Sequence, residues 1–357
     1  MMVREGAACI SLGKRVFFNP EMELCRDVSS LAVGTLEGKL NLLDGLCATG
    51  VRGIRYALEN ENVWRVHFVD SSEEAIALAR KNAEANKIKR ASFTTADFNK
   101  FVFSRSFDFV ELDPFGSPVP FLYHALRSFR AKKAGFLSVT ATDTAVLCGA
   151  EFTACIKNYG ARPLHNELCH EAGARILLGK IARTASEFNL GTTPLFTLSR
   201  QHFIKVLVRL EQGAEVAVDS AKSALAFLFY CPKCLHSESA RRPLASACPS
   251  CGFKEREWSG PLWVGELHDR QMLERMRELN GQRAYRKRRE IDALLSLMLG
   301  EVGFPPGFID LHVLGKIRGE GPKKVEEFIR EMEAECWRAA RTHFRSTGVK
   351  LAKSDVH

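Results

Sequence analysis

No stretch of this 357-residue sequence approaches the roughly 18 consecutive apolar residues that a bilayer-spanning helix needs. Its first residues, Met1-Met2-Val3-Arg4-Glu5-Gly6, carry neither the basic segment nor the long apolar core of a secretory signal. These two absences argue against membrane-embedded and exported classes and lead to the expectation of a cytoplasmic protein with no membrane partner. Internal repeats and low-complexity tracts are also missing, which removes solenoid and fibrous classes. No G-x-G-x-x-G follows a strand and no Gly-Lys-Ser/Thr closes a loop, so dinucleotide and nucleoside triphosphate sites are disfavoured.

What is present is the composition of a globular chain, 46% hydrophobic and long enough for two domains. A formal charge of +9 suits a polyanionic partner without naming one. The 11 cysteines do not make a disulfide framework, because four fall at metal-ligand spacing and the others are scattered through helix-like or strand-like segments. Scattered ones such as Cys148 and Cys155 read as small core residues. Between about Leu40 and Leu210, strand-like and helix-like segments alternate, the signature of an α/β domain with a mostly parallel sheet flanked by helices. Helices are expected around 72–86, 118–130 and 149–158, and Phe203 to Leu210 alternates like a closing strand. The reading divides the chain into a catalytic domain, 1–215, and a smaller α+β C-terminal domain, 216–357. No obligate protein partner is implied.

One run stands out. Phe107-Asp108-Phe109-Val110-Glu111-Leu112 is strand-like and stops abruptly at Asp113-Pro114-Phe115-Gly116-Ser117-Pro118. An ordinary turn would also end this way, since Asp-Pro is a common turn dipeptide. The chemical reading is that of a methyltransferase acting on an exocyclic amine. Such a nitrogen is a poor nucleophile because its lone pair is delocalised into the ring, so a site must accept its hydrogens and hold it near a methyl donor. Asp113 and the Pro114 carbonyl can accept, and Phe115 can stack on the base.

Upstream, Asn41-Leu42-Leu43-Asp44-Gly45-Leu46-Cys47-Ala48-Thr49-Gly50-Val51-Arg52-Gly53 reads as a buried strand that breaks into a small-residue loop and then a helix. A second strand, Trp64 to Val69, ends in Asp70, placed to hydrogen-bond the two hydroxyls of a ribose. A third, Phe93 to Ala96, ends in Asp97, expected near an adenine amino group. Any one of these acids could be a helix cap. Their coincidence at one sheet edge, beside a glycine loop without phosphate chemistry, fits S-adenosylmethionine, with Asp44 and Gly50 in the same cradle. Asp143 and Thr144, after the strand Gly135 to Thr140, either shape the base pocket or start a capped helix.

Cys231-Pro232-Lys233-Cys234 and Cys248-Pro249-Ser250-Cys251 are two C-x-x-C knuckles separated by thirteen residues, a zinc ribbon pattern. Four thiolates, Cys231, Cys234, Cys248 and Cys251, close a tetrahedral site, so the Zn2+ is expected to be structural. His236 lies near enough to compete, but the four-cysteine set is complete without it. Further on, Arg283, Arg286, Lys287, Arg288 and Arg289 put five cations on a helix-like run suited to RNA phosphates or simply to solvent. The tail Arg341-Thr342-His343-Phe344-Arg345 mixes cations and an aromatic, as a frayed terminus or a nucleic-acid contact would.

Taken with Val16-Phe17-Phe18-Asn19-Pro20, Arg26-Asp27, Ala48-Thr49-Gly50-Val51-Arg52-Gly53, Val139-Thr140-Ala141-Thr142-Asp143-Thr144, His170-Glu171-Ala172-Gly173-Ala174-Arg175, Gly260-Pro261-Leu262-Trp263 and Arg341-Thr342-His343-Phe344, the Asp113 to Pro118 motif makes the chain resemble the tRNA (guanine-26-N2)-dimethyltransferases nearly end to end. The resemblance implies a Rossmann-like class I methyltransferase domain, S-adenosylmethionine as methyl donor, and tRNA as partner. It implies cofactor contacts from Arg26, Arg52, Asp70 and Asp97, Asp113 as the catalytic acceptor, and Phe17 and Phe115 as the rings that sandwich a flipped guanine. Leu46-Cys47 departs from the family's usual small-serine pair and Cys25 from its frequent Asn; neither is a catalytic position. Two other readings stand beside it, an amino methyltransferase for a different base or RNA, and a non-catalytic zinc-ribbon RNA-binding protein.

Overall fold

The computed structural model describes residues 1–242 and 246–353. Its centre is a seven-stranded sheet made of β3 (Leu40–Gly45), β4 (Val63–Asp70), β5 (Ala91–Thr95), β6 (Phe109–Leu112), β7 (Ala134–Ala141), β8 (Leu190–Arg200) and β9 (Phe203–Gln212), in the order β5-β4-β3-β6-β7-β9-β8. The strands from β3 to β7 are parallel, while β9 runs antiparallel to both β7 and β8. Parallel strands need crossover helices, and these cover both faces, so β6 is buried along its whole length. The α/β expectation holds, with helices at Glu73–Ala85, Val119–Arg127 and Phe152–Tyr159.

Strand order reverses between β3 and β6, and ligands bind at such a switch point beyond the carboxyl ends of the strands. Register does the rest: Gly45 pairs with both Val69 and Leu112, so the loops leaving three neighbouring strands emerge side by side. A hairpin of β1 (Met2–Glu5) and β2 (Ala8–Ser11) is tied to this unit by Glu5, which bonds Arg26 Nε at 2.6 Å and Arg55 Nη1 at 2.8 Å. The expected boundary at 215 falls inside the helix Ala214–Ala224, which packs on β8 and on the helix Cys169–Ser186.

Beyond it, β10 (Ala226–Tyr230) lies between β11 (Ser237–Ala240) and β12 (Glu257–Leu262), and the cysteine knuckles extend from this small sheet. Helices Arg270–Gln282 and Arg288–Glu301 follow, then β13 (Ile309–Asp310), β14 (Trp337–Arg341) and β15 (Gly348–Lys353) with two short helices. No helix among the described residues is long and apolar enough to cross a membrane.

Two expectations are corrected here. The cation run around 283–289 is a loop entering a helix, because Arg283 donates to Asn60 Oδ1 at 3.0 Å, Tyr285 to Glu59 Oε2 at 2.6 Å and Arg286 to Glu23 at 2.8 Å. These acceptors are buried residues of the first domain, and they tie the loop down onto it. The tail is neither frayed nor a stacking platform: Phe344 is buried, His343 Nδ1 sits 2.6 Å from Glu301 Oε1, and buried Lys350 donates to Glu171 at 2.9 Å.

Candidate active site

The loop after β3 is tightly wound. Leu46 and Ala48 have left-handed φ of 62° and 45°, uncommon for non-glycine residues, and Gly50 follows at 76°. Asp44 and Asp70 hold this shape. Asp44 Oδ2 accepts the Gly53 N–H at 2.9 Å, anchoring the helix Val51–Glu59 against the strand end. Gly53 has to be small there, since a Cβ would come within 2.6 Å of Phe68 and 2.9 Å of Asp44. Complete burial pushes the Asp44 carboxyl up to about 8. Asp70 accepts from Ala48 N and Ser72 N, each at 2.9 Å, so it joins the loop to the next helix. Every carboxylate oxygen has more than one lone pair, and Asp70, half-exposed, retains acceptor capacity.

Asp113 leaves the end of β6 beside the amino end of that helix. Arg52 Nε lies 2.7 Å from Asp113 Oδ2 and 3.9 Å from Glu111 Oε1. Burial raises the Asp113 carboxyl, but Arg52 and Lys205, with hydrogen bonds from Arg52 and Thr140, outweigh it and hold the group below its ordinary value. It is therefore a carboxylate at neutral pH. The turn carrying it is pinned: Gly116 N donates to Thr142 Oγ1 at 2.8 Å, and Ser117 donates to Tyr159, whose hydroxyl lies 2.8 Å from Asp143 Oδ1. Thr142 thus lines the site, whereas Asp143, at the cap position before Thr144, makes no capping bond and supports the turn from behind.

These elements enclose a cavity of about 530 Å³, within the range of small-molecule sites. Its wall includes Arg26, Asp44, Arg52, Asp70, Asp113 and Pro114, with Phe17 and Phe115 beside them. The two rings are 53% and 73% exposed, yet they touch edge to face with centroids 4.4 Å apart, so nothing can lie between them until they part. Arg26 gives its guanidinium to Glu5 through two 2.6 Å bonds and still reaches the wall. Gly50 and Asp97 are not in the lining. Asp97 caps the helix Phe98–Val102 through Lys100 N at 3.0 Å.

Residues beyond the motifs also take part. Phe18, Met22 and His202 line the cavity, and Glu111, Lys205 and Tyr56 sit behind Asp113. Glu111 had a visible signal, an acid two positions before Asp113 in an otherwise apolar strand; Lys205 and His202 arrive from the β8–β9 hairpin with no local cue.

The four knuckle cysteines converge, with Cys231 Sγ 3.6 Å from Cys251 Sγ and Cys234 Sγ 3.6 Å from Cys248 Sγ. Tetrahedral zinc with Zn–S of about 2.3 Å gives edges of about 3.8 Å, so the donor set fits that metal. His236 is not in the group. Two other clusters of metal-type ligands occur among the described residues. In His268–Glu301–His343 each imidazole accepts a backbone N–H, from Thr197 at 3.3 Å and Ser199 at 3.5 Å. In Cys148–Cys169–His170 the Nδ1 of His170 is met by the Ser199 hydroxyl at 3.3 Å.

Comparison with known proteins agrees with the fold and with the motifs. A family model described as N2,N2-dimethylguanosine tRNA methyltransferase matches residues 1–355. A tRNA (guanine(26)-N(2))-dimethyltransferase from Thermococcus kodakarensis is 39% identical over 374 residues, covering 98% of this chain and 95% of the relative. One from Methanothermobacter thermautotrophicus is 34% identical over 349 residues, covering 96% and 90%. Among solved structures, Trm1 from Pyrococcus horikoshii in complex with S-adenosyl-L-methionine superposes with a TM-score of 0.89 at 35% identity, covering 99% of this chain and 96% of that one. With nearly its whole length matched in sequence and in structure, the chain belongs to the N2,N2-dimethylguanosine tRNA methyltransferase family.

Proposed function

We propose that the protein transfers methyl from S-adenosylmethionine to the exocyclic N2 amine of guanine-26 in tRNA. The observation that carries this reading is the convergence of a charged acceptor, two accessible aromatic rings and two cofactor-type acids on one cavity at the switch point of the sheet. The cavity also fits the methyl donor chemically. Arg52 Nη1 is buried there without a hydrogen-bond partner, a donor suited to a carboxylate, and Asp70 can accept from ribose hydroxyls.

S-adenosylmethionine, when bound, supplies the electrophilic methyl; the chain supplies position and charge. The target base leaves the RNA helix at a cost of a few kcal/mol, and stacking on Phe17 and Phe115 offsets it by roughly 1–3 kcal/mol per contact. Parting the Phe17–Phe115 pair opens that slot. The amine then donates to Asp113 and to the Pro114 carbonyl, which fixes its nitrogen in the cavity. Positive charge growing on the nitrogen is stabilised by the Asp113 carboxylate, which Arg52 holds in place. Because Asp113 is a weak base, its main work is electrostatic, and it receives a proton only from the strongly acidic methylated nitrogen.

We further propose that the four cysteines hold a structural Zn2+ and that the basic C-terminal half carries the tRNA. Lys287, Arg288 and Arg289 line a cleft of about 970 Å³ suited to phosphates. The non-catalytic alternative would require the acceptor, the loop or the ribose acid to be lost or dispersed, and all three are together.

The test is transfer of labelled methyl to an unmodified tRNA transcript carrying guanine or adenine at position 26, with nucleosides resolved by mass. N2-methylated guanosine from the guanine transcript alone supports the reading and counts the methyls added. Label at adenine, or none with tRNA bound, refutes it.

A further inference from the structure

Lys205 is fully buried on β9, and its position in the sheet places its ammonium behind the candidate catalytic acid. Leu112 pairs with Val139, so the next residues, Asp113 and Thr140, stand side by side at the ends of parallel strands. Thr140 in turn pairs with Lys205. The Lys205 Nζ donates to Thr140 Oγ1 at 3.0 Å and is ion-paired with Glu111, whose other oxygen accepts the Tyr56 hydroxyl at 2.9 Å. Thr140 thus stands on the strand next to Asp113, on the sheet face that also carries Glu111 and Lys205, and is among the groups that lower the Asp113 carboxyl.

We propose that Thr140 and Lys205 form a positioning relay that keeps Asp113 charged and aimed at the amine. An ammonium has no lone pair, so Lys205 can only donate to Thr140. The hydroxyl has a single proton, and with Lys205 on its oxygen that proton goes to Asp113. Asp113 then receives two fixed donors, Thr140 from the sheet and Arg52 from the helix, and its remaining lone pairs face the cavity. Charged groups around Asp113 come from every packed element: Arg52 and Tyr56 on the helix, Glu111 on its own strand, Asp44 on β3, Lys205 on β9, Cys25 against Arg52 at 3.5 Å, and His202 across the cavity. Replacing a buried ion pair by apolar residues is often neutral or stabilising, so the fully buried Lys205–Glu111 pair is not explained by stability alone.

The relay rests on the reading of Asp113 as acceptor, and the experiment separates the two. The pH profile of kcat and the cofactor Kd are measured for the wild type, Thr140→Val, Thr140→Ser and Asp113→Ala. Loss of a donor to the charged form raises a carboxyl group, so Thr140→Val should move the acid limb of activity to higher pH by about one unit and lower kcat roughly tenfold, with cofactor Kd unchanged. Thr140→Ser keeps the hydroxyl and should behave as the wild type. A Thr140→Val enzyme with wild-type limb and kcat overturns the relay while Asp113→Ala, inactive, leaves the acceptor reading standing; an active Asp113→Ala overturns both. The share of Lys205 is read in Lys205→Met/Glu111→Gln, which removes both charges together. Its loss of kcat should not deepen when Thr140→Val is added, and additive losses would refute action through Thr140. Should that pair not fold, Lys205→Arg, which keeps a donor at the same place, should retain the wild-type limb; a limb displaced as far as in Thr140→Val refutes the role of Lys205.

Discussion

Arg52 and Asp113, 61 residues apart in sequence, meet with Nε 2.7 Å from Oδ2 at the mouth of the sheet's switch point. Arg52 thereby faces two ways: Nε holds the candidate acceptor, while Nη1, buried without a partner, is left for a ligand. One guanidinium can thus register the methyl donor and the acceptor of the amine's hydrogens against each other.

Asp113→Ala should lose turnover by roughly a hundredfold to a thousandfold, the scale of removing one preorganised electrostatic group. Cofactor affinity, measured by calorimetry, should stay within about twofold. Turnover near wild type would remove Asp113 from its assigned role.

Asp70→Ala acts on the other half of the site. Loss of hydrogen bonds to a charged acceptor, about 1.5–3 kcal/mol each, should raise the cofactor Kd by roughly tenfold to a hundredfold. Unchanged affinity would count against ribose recognition, leaving Asp70 only its bonds to Ala48 and Ser72.

Phe115→Ala should weaken productive tRNA engagement by about 1–3 kcal/mol in kcat/KM, while cofactor binding is preserved. Phe115→Leu, apolar but without a stacking face, should recover little. Full recovery by leucine would show that the ring acts only as apolar cover.

Cys248→Ser should lower zinc content, measured by elemental mass spectrometry, from one ion per chain to below it and should reduce the melting temperature of the holoprotein. Zinc-free wild-type protein with an undiminished melting temperature would refute a structural metal.

Acid should loosen the junction of the two halves. Burial raises the Glu301 carboxyl, but His343 and Lys350 outweigh it and bring it down to about 2, from an unfolded value of 4.5. Its contribution is therefore present above pH 4.5 and lost as pH falls toward 2. Burial lowers His268 to about 3 from 6.5, so protonation of the unfolded chain erodes stability below pH 6.5 as well. Chemical denaturation between pH 7 and pH 4 should show a decline on the order of a few kcal/mol, reduced in Glu301→Gln/His268→Gln. An equal decline in that variant would place the acid sensitivity elsewhere.

Local sequence determined the elements and their chemistry: the strand that stops at Asp113-Pro114-Phe115, the glycine loop, the acids closing β4 and β5, and the paired cysteines. Each is a short-range pattern in which apolar alternation, turn residues and ligand spacing all lie within a few residues. Tertiary structure alone decided what faces what. It turned Arg283, Tyr285 and Arg286 onto Asn60, Glu59 and Glu23, buried the tail through His343 and Lys350, and closed Phe17 on Phe115. It also slid Lys205 behind Asp113, through the pairing of β7 with β9. Those contacts depend on strand order and register, set by long-range packing and by the need to neutralise every buried charge, and no local window of sequence contains both partners.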